Sequence, residues 1–505
     1  MSILICGSLA FDTIMVFKDQ FKNHILPESI HKLSVAFYVP ELRKEFGGTA
    51  GNIAYNLKLL DENPLIMATV GSDFSIYFDW LNQNKINTQH IKEIKTLYTA
   101  QAYITTDLSD NQITAFHPGA MVESHQNKIK ETKGVCLAII APDGKDGMMN
   151  HAKECKALNI PFMFDPGQGL PMFNREELLE FIDNATYIAV NDYEATLLSE
   201  KTSLSIEEIS KKVEALIVTM GADGSVIYAD NKIYKIDSIK VEVPVDPTGC
   251  GDAYRAGLLY GISKKWDWQS IGRLASVMGS IKIQNQGGQN HRPTRDDIET
   301  LYTKKLIEEN ELEKIENLNS FIKKNSLKFP YSILSKIAEL SNTSRTENSA
   351  YYTSQDICYS VIKDLPEAKE FKSLRILEPS IGVGNFLPLL IEKYKTVNKV
   401  TIDVVDIDEN SINTLKLLLK TLIIPKNITI NFINSDFLLY IFENKYDIVV
   451  GNPPFKKITN EKALLASYKK GIFNTETNNI FSFLNNLFIL YLIVKKKVKK
   501  SIFDN

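Results

Sequence analysis

Two short corners constrain this 505-residue chain more than any other feature: Asp246-Pro247-Thr248-Gly249-Cys250-Gly251-Asp252 near the middle and Asn452-Pro453-Pro454-Phe455 near the end. The first runs into a helical stretch, Asp252 to Ile262, and the second directly follows the apolar run Asp447-Ile448-Val449-Val450-Gly451. The corners call for different chemistries, so a single active site does not account for both. Domains cluster at roughly 100 to 200 residues, and the chain is long enough to hold each corner in a separate one.

A pass along the chain divides it. From Ser2 to about Thr303, short β-branched runs (Ile3 to Cys6, Val135 to Ile140, Phe162 to Phe164, Tyr187 to Val190, Ala215 to Thr219) alternate with helical patterns, which predicts an α/β fold on a mostly parallel sheet. From Leu301 to Lys328 the chain turns rich in Lys, Glu and Asn. The expected organisation is a first domain over 1–303, a helical linker over 304–329 and a second α/β domain over 330–505. Strands of the second are predicted at Arg375 to Glu378, Thr401 to Asp406, Ile428 to Ile433 and Tyr446 to Val450.

Composition narrows the setting. Hydrophobic residues at 44% supply material for sizeable cores, and a net charge of -3 argues against coating nucleic acid through bulk electrostatics. The five cysteines are widely spaced with no CxxC pair, and the seven histidines have no metal-ligand spacing. Reduced thiols, no zinc and a cytoplasmic chain are expected. Met1 to Phe17 is apolar but lacks a basic leader and is interrupted by Asp12, so it reads as a first strand and not a signal peptide.

Phosphoryl transfer needs a base beside the attacking hydroxyl and a nest of backbone donors for the transferred group. Gly249, Cys250 and Gly251 ahead of a helix supply free N–H groups, and Asp252 in the first turn is the candidate base. The same turn in isolation is equally a plain loop entering a helix. Further pieces stand in order: Asp12 after the first strand, Gly47-Gly48 with Asn52, Asn191-Asp192-Tyr193-Glu194, and Thr219-Met220-Gly221-Ala222-Asp223-Gly224. Together these resemble the ribokinase (PfkB) family of sugar and nucleoside kinases, over Met1 to about Thr303. The resemblance implies a ribokinase-like parallel sheet with a small lid. It implies an acceptor held by Asp12, Gly47, Gly48 and Asn52, and Asp252 as base. ATP would be held around Asn191, Glu194, Thr219, Gly221, Gly224 and the 249–251 nest. Magnesium would arrive with the nucleotide, with Glu194 acting on it through water. The family's Asp-Thr-Thr-Gly-Ala-Gly-Asp carries Pro247 and Cys250 here, changes that leave the backbone donors intact. Thr99 to Met121 and Asp252 to Gly257 look like adenosine-kinase-like members. Phe116 is then either a stacking face for a purine or an ordinary core residue of a strand. An adenosine-type nucleoside is the first expectation, and ribose or another sugar the competitor.

Methyl transfer to an exocyclic amine demands an apolar slot with acceptors for the amine. Asn452 and the carbonyl between Pro453 and Pro454 can accept, and Phe455 offers a stacking face. Upstream, Leu377-Glu378-Pro379-Ser380-Ile381-Gly382-Val383-Gly384-Asn385-Phe386 forms a strand and glycine corner, Asp406 ends the next strand, and Asp436-Phe437 follow the third. With Thr353 ahead of the first strand, the order resembles adenine-specific DNA methyltransferases. That resemblance implies a partial Rossmann-like sheet binding S-adenosylmethionine through Thr353, Glu378, Pro379, Gly382, Gly384, Asp406, Asp436 and Phe437. Glutamine methyltransferases share part of the pattern but usually carry Tyr where Phe455 stands.

Only about 50 residues follow Phe455, where the methyltransferase family implies several more strands and a target-recognition region. A C-terminally truncated domain, inactive alone, is therefore expected. The alternatives are a true bifunctional kinase and DNA methyltransferase, or a module working with a separate specificity chain. The apolar stretch Phe488 to Val494 is far shorter than the roughly 18 residues of a membrane span, so no membrane partner is expected. The following Lys495 to Lys500 run is a solvated tail or a contact for DNA phosphates.

Overall fold

The computed structural model describes residues 2–25, 35–109, 111–342, 353, 355–437, 439–440, 442 and 444–452. Pro453, Pro454, Phe455, the Phe488 to Val494 stretch and the Lys495 to Lys500 run lie outside the described residues. The chain forms two compact units, Met1–Tyr302 and Thr303–Asn505.

The first unit is built on a nine-stranded sheet. Its strands are β1 (Ser2–Cys6), β4 (Leu65–Gly71), β5 (Asn87–Ile94), β8 (Val135–Ile140), β9 (Phe162–Phe164), β10 (Tyr187–Asn191), β11 (Ala215–Thr219), β12 (Ser225–Ala229) and β13 (Lys232–Ile236). They lie in the order β13-β12-β11-β10-β9-β8-β1-β4-β5. All pairs are parallel except β11 with β12 and β12 with β13. Continuous apolar runs are what a parallel sheet covered on both faces requires. The alternation is direct: Ile3 and Ile5 of β1 join one core, and Leu4 and Cys6 join the core on the opposite face.

A second sheet of four strands forms the small lid, ordered β3-β2-β6-β7: β2 (Ala10–Val16), β3 (Glu41–Gly47), β6 (Ala100–Thr106) and β7 (Gln112–His117). β1 sits between β4 and β8, so successive strands go to opposite sides of it. Such a switch point opens a crevice at the carboxyl ends of the strands, where ligands bind.

The second unit carries a parallel four-stranded sheet ordered β16-β15-β14-β17: β14 (Ser373–Glu378), β15 (Lys399–Asp406), β16 (Ile428–Asn434) and β17 (Ile448–Val449). This is a partial Rossmann-like sheet. The segment expected as a linker is helical, Arg295–Glu309 and Ile315–Asn325, but it is packed. Leu306, Ile307, Leu312, Leu318 and Ile322 belong to the same core as Ile376 and Ile402 of the sheet. Among the described residues no helix is long and apolar enough to cross a membrane.

Candidate functional site

The middle corner folds as a helix start. Gly249 takes φ 77°, which a side chain rarely adopts, and N-caps the helix Cys250–Ser263. Its first-turn N–H groups have no intrahelical acceptor and point a partial positive charge outward. A Cβ on Gly251 would meet only Arg255 Nη1 at 3.6 Å, so the space above this helix end is open. Asp246 fastens the loop: Oδ1 accepts from Thr248 N at 2.9 Å and Oδ2 from Gly287 N at 2.9 Å. Despite its burial, these N–H groups hold the Asp246 carboxyl below its ordinary range. Cys250 contributes a small side chain whose thiol burial pushes up to about 11, so it remains neutral near pH 7.

Asp252, third residue of that helix, is half-buried at the nest. Burial raises its pKa, with the charge of Asp165 acting the same way, while a hydrogen bond from Asn52 and the charge of Arg255 oppose the rise; the result is about 6. Asn52 Nδ2 donates to Asp252 Oδ2 at 2.8 Å, and Asn52 Oδ1 accepts from Gln289 Nε2 at 3.1 Å. Gln289 also donates to Tyr77 Oη at 2.6 Å, and Tyr77 donates to the Gly47 carbonyl at 2.8 Å. Gln289 Oε1 accepts from Trp80 Nε1 at 2.9 Å. The Asp252 carboxylate is therefore oriented by a chain of mutually satisfied hydrogen bonds reaching back to the glycine pair.

Asp12 lies across from Glu45 in the lid register. Burial first, then the charges of Asp252, Glu45 and Asp246, push its carboxyl up to about 7. The Gly47 Cα faces it so closely that a Cβ would stand 2.3 Å from Asp12 Oδ2. Gly48 has φ 83°, and a Cβ there would be 2.5 Å from the Ser8 carbonyl. Asp12, Gly47, Gly48, Asn52 and Asp252 are thus brought to one place. Phe116 is elsewhere in character: it lies on β7, paired with Ala102 and 52% exposed, so it is not a core residue.

At the carboxyl ends of β10 and β11, Asn191 and Thr219 are register partners. Asn191 and Glu194 form a capping box: Glu194 N donates to Asn191 Oδ1 at 2.7 Å and Asn191 N donates to Glu194 Oε2 at 2.8 Å. Burial raises the Glu194 pKa against that hydrogen bond. Gly221 and Gly224 both take positive φ, and a Cβ on Gly224 would meet the Ile236 carbonyl at 2.2 Å. Among the described residues no group of three or more His, Cys, Asp and Glu side chains could hold a metal ion.

In the second unit, Glu378 and Asp406 end the neighbouring strands β14 and β15. Gly451, just past β17, lies against Pro379, since a Cβ there would be 3.1 Å from Pro379 Cδ. This puts Asn452 at the same sheet edge. Asp406 Oδ2 accepts from Gly382 N at 2.9 Å and Oδ1 from Asp408 N at 2.9 Å. The acid thus fastens the glycine corner, with lone pairs left over. Gly382 and Gly384 take φ 51° and 74°. Burial, then the charge of Asp406, raises Glu378 well above its ordinary pKa, and its Oε2, like Ser380 Oγ, is buried without a partner among the described residues. Thr353 O accepts from Asn385 Nδ2 at 3.0 Å. Phe437 is buried, its ring 5.3 Å from Phe442.

Sequence reasoning missed Gln289, Tyr77 and the buried Arg255–Asp165 pair, Nε to Oδ2 3.1 Å. Gln289 reaches Asn52 across 237 residues and Tyr77 across 212, and Arg255 meets Asp165 across 90, so nothing local marks these contacts. The capping box was readable, since Asn-x-x-Glu at a strand end is its signature.

A helix N-terminus with a poised carboxylate, at a sheet switch point beside a small lid, defines a phosphotransferase acting on an alcohol. Residues 13–295, more than half the chain, match the model of the pfkB family carbohydrate kinases. The chain belongs to that family. A nucleoside kinase of Burkholderia thailandensis, solved with inosine, is 48% identical, with 60% of this chain and 97% of that one covered and a TM-score of 0.56. A nucleoside kinase of Methanocaldococcus jannaschii is 33% identical over 54% of this chain and 90% of its own. A ribokinase of Bacillus subtilis is 26% identical over 50% of this chain and 87% of its own. Residues 362–469 match the methyltransferase small domain.

Proposed function

We propose that the first unit transfers the terminal phosphoryl group of ATP to a nucleoside hydroxyl, with an adenosine-type nucleoside first and ribose-like sugars as competitors. The observation that carries this is Asp252, aimed by Asn52 at 2.8 Å and set in the first turn of the open helix start. The relatives named nucleoside kinase, one of them bound to inosine, support the acceptor class. Asp12 accepts from acceptor hydroxyls. Asp252 takes the proton of the attacking hydroxyl as its oxygen bonds to phosphorus and the bond to ADP breaks. The first-turn N–H groups of Gly251 and Asp252 receive the charge that accumulates on the transferred group. Magnesium carried in by the nucleotide would neutralise phosphate charge, and Glu194 is the residue that would act on it through water. Such chemistry suits the ATP-rich cytoplasm. The test is a panel of adenosine, inosine, ribose and fructose with ATP and magnesium; a clear preference for fructose rejects the reading.

For the second unit, we propose S-adenosylmethionine binding over Glu378 to Gly384, Asp406 and the Asp436-Phe437 pair, with transfer to an amine of DNA adenine held by Asn452. What supports the fit is a buried Glu378 oxygen and a buried Ser380 hydroxyl without a partner among the described residues, beside a Gly382 N–H held by Asp406, while Gly384 packs against Leu415, Tyr331 and Leu387. Bound, the cofactor supplies an electrophilic methyl group. Asn452 would orient the amine, and a separate specificity chain would supply the DNA contacts the module needs. Tritiated methyl incorporation into mixed-sequence DNA, with Asn452→Ala as control, tests it. Robust incorporation by the chain alone, lost in the Ala variant, establishes the bifunctional alternative.

A further inference from the structure

Lys282 is fully buried, at the end of the helix Trp268–Ile283, and among the described residues no carboxylate oxygen lies within ion-pair distance of it. Its ammonium donates instead to two backbone carbonyls, Asp246 O at 2.8 Å and Asn285 O at 3.0 Å. A buried charge is costly unless its donors are satisfied, so an ammonium held by carbonyls alone calls for a reason. The location supplies one. A Cβ on Gly249 would stand 3.7 Å from Lys282 Cε and 3.1 Å from Gly288 Cα, so the lysine stem runs directly beneath the helix start. The loops it joins are the ones that matter: Asp246 also holds Thr248 and Gly287, and a Cβ on Gly288 would be 2.3 Å from Asn52 Oδ1.

We propose that Lys282 is a positioning residue for phosphoryl transfer, a tethered cation that pins loop 246–251 to loop 285–289 beneath the anion nest and adds its charge there. The proposal rests on the kinase reading above. Carbonyl oxygens converging at these distances are the ligands a free potassium or ammonium ion takes; here the chain brings its own. Burial lowers the Lys282 pKa, and the nearby charge of Asp246 opposes that. Displacement of a reacting group by about 1 Å costs on the order of 100-fold in rate, so a loosened loop pair reads out in turnover.

The experiment assays the full chain in chloride salts of choline, sodium, potassium and ammonium, with Lys282→Ala and Lys282→Met beside it. The native rate is expected to be the same in all four salts. Lys282→Ala in choline is expected to lose about 10- to 100-fold in kcat with little change in the acceptor KM, and to regain most of it in ammonium or potassium. Lys282→Met, whose uncharged chain fills the space, is expected to stay low in every salt. If Lys282→Ala does not fold in choline, recovery of its circular dichroism in ammonium is the same result, and failure to recover overturns the proposal. A folded Lys282→Ala with native kcat overturns it, as does a loss that no cation restores or a native rate that requires potassium. Absence of phosphoryl transfer by the native chain on every acceptor counts against the kinase reading instead. Cation-dependent melting of Lys282→Ala then still tests the tether.

Discussion

In the proposed reaction Asp252 is the general base, and burial sets its pKa at about 6, which keeps it ionised yet basic near pH 7. Asp252→Asn keeps the shape and the Asn52 contact site but cannot take a proton. It is expected to lower kcat by roughly two to four orders of magnitude with acceptor binding spared, checked by steady-state kinetics. In native protein, kcat/KM is expected to fall as pH drops below the range of about 6 to about 7 set by Asp252 and Asp12. Stability runs the opposite way. Both folded pKa values lie above the unfolded ones, so the folded state holds the extra protons and stability falls as pH rises from about 4 to about 7. Asp12→Asn removes that penalty, and its melting temperature at pH 8 is expected to exceed the native one, by scanning calorimetry.

Two elements convert local rules into ligand geometry. The Gly47-Gly48 turn lets the lid strand β3 pass close to Asp12, and Gly47→Ala drives a methyl into that carboxylate. The acceptor KM is expected to rise by about tenfold or more while the ATP KM holds, because one or two hydrogen bonds of about 1 kcal/mol each are misplaced; equal rises for both substrates would point to a folding defect. The capping box at the start of the helix Asp192–Thr202 separates structure from charge. Glu194→Gln can still complete the box, so melting should move little. The magnesium concentration for half-maximal rate is expected to rise, and an unchanged requirement would remove Glu194 from phosphate chemistry.

The molecule contains two units with their own cores. Ligands that bind one folded unit stabilise that unit by mass action. Thermal unfolding is expected in two steps, with a nucleoside and a non-hydrolysable ATP analogue raising one and S-adenosylmethionine raising the other. Asp252→Asn should leave the second shift unchanged, and Glu378→Gln should leave the first. A single transition moved by both ligands would show that the two cores do not unfold separately.

Sequence alone determined the α/β class of both halves and the presence of strands such as Ile3 to Cys6 and Arg375 to Glu378, because strand periodicity and glycine corners are local properties of the chain, whereas the order of the strands in each sheet was decided by the tertiary structure. It also marked Asp12, Gly47, Asn52 and Asp252, since each stands in a short motif. Tertiary structure alone decided what aims them. Gln289 reaches Asn52 across 237 residues, Arg255 meets Asp165 across 90, and Lys282 lies beneath Gly249 through packing and backbone carbonyls that no side-chain pattern encodes. The same holds for 304–329: its Lys- and Glu-rich surface read as a connector, while Leu306, Leu312, Leu318 and Ile322 are buried in the core of the second unit, which only folding assembles.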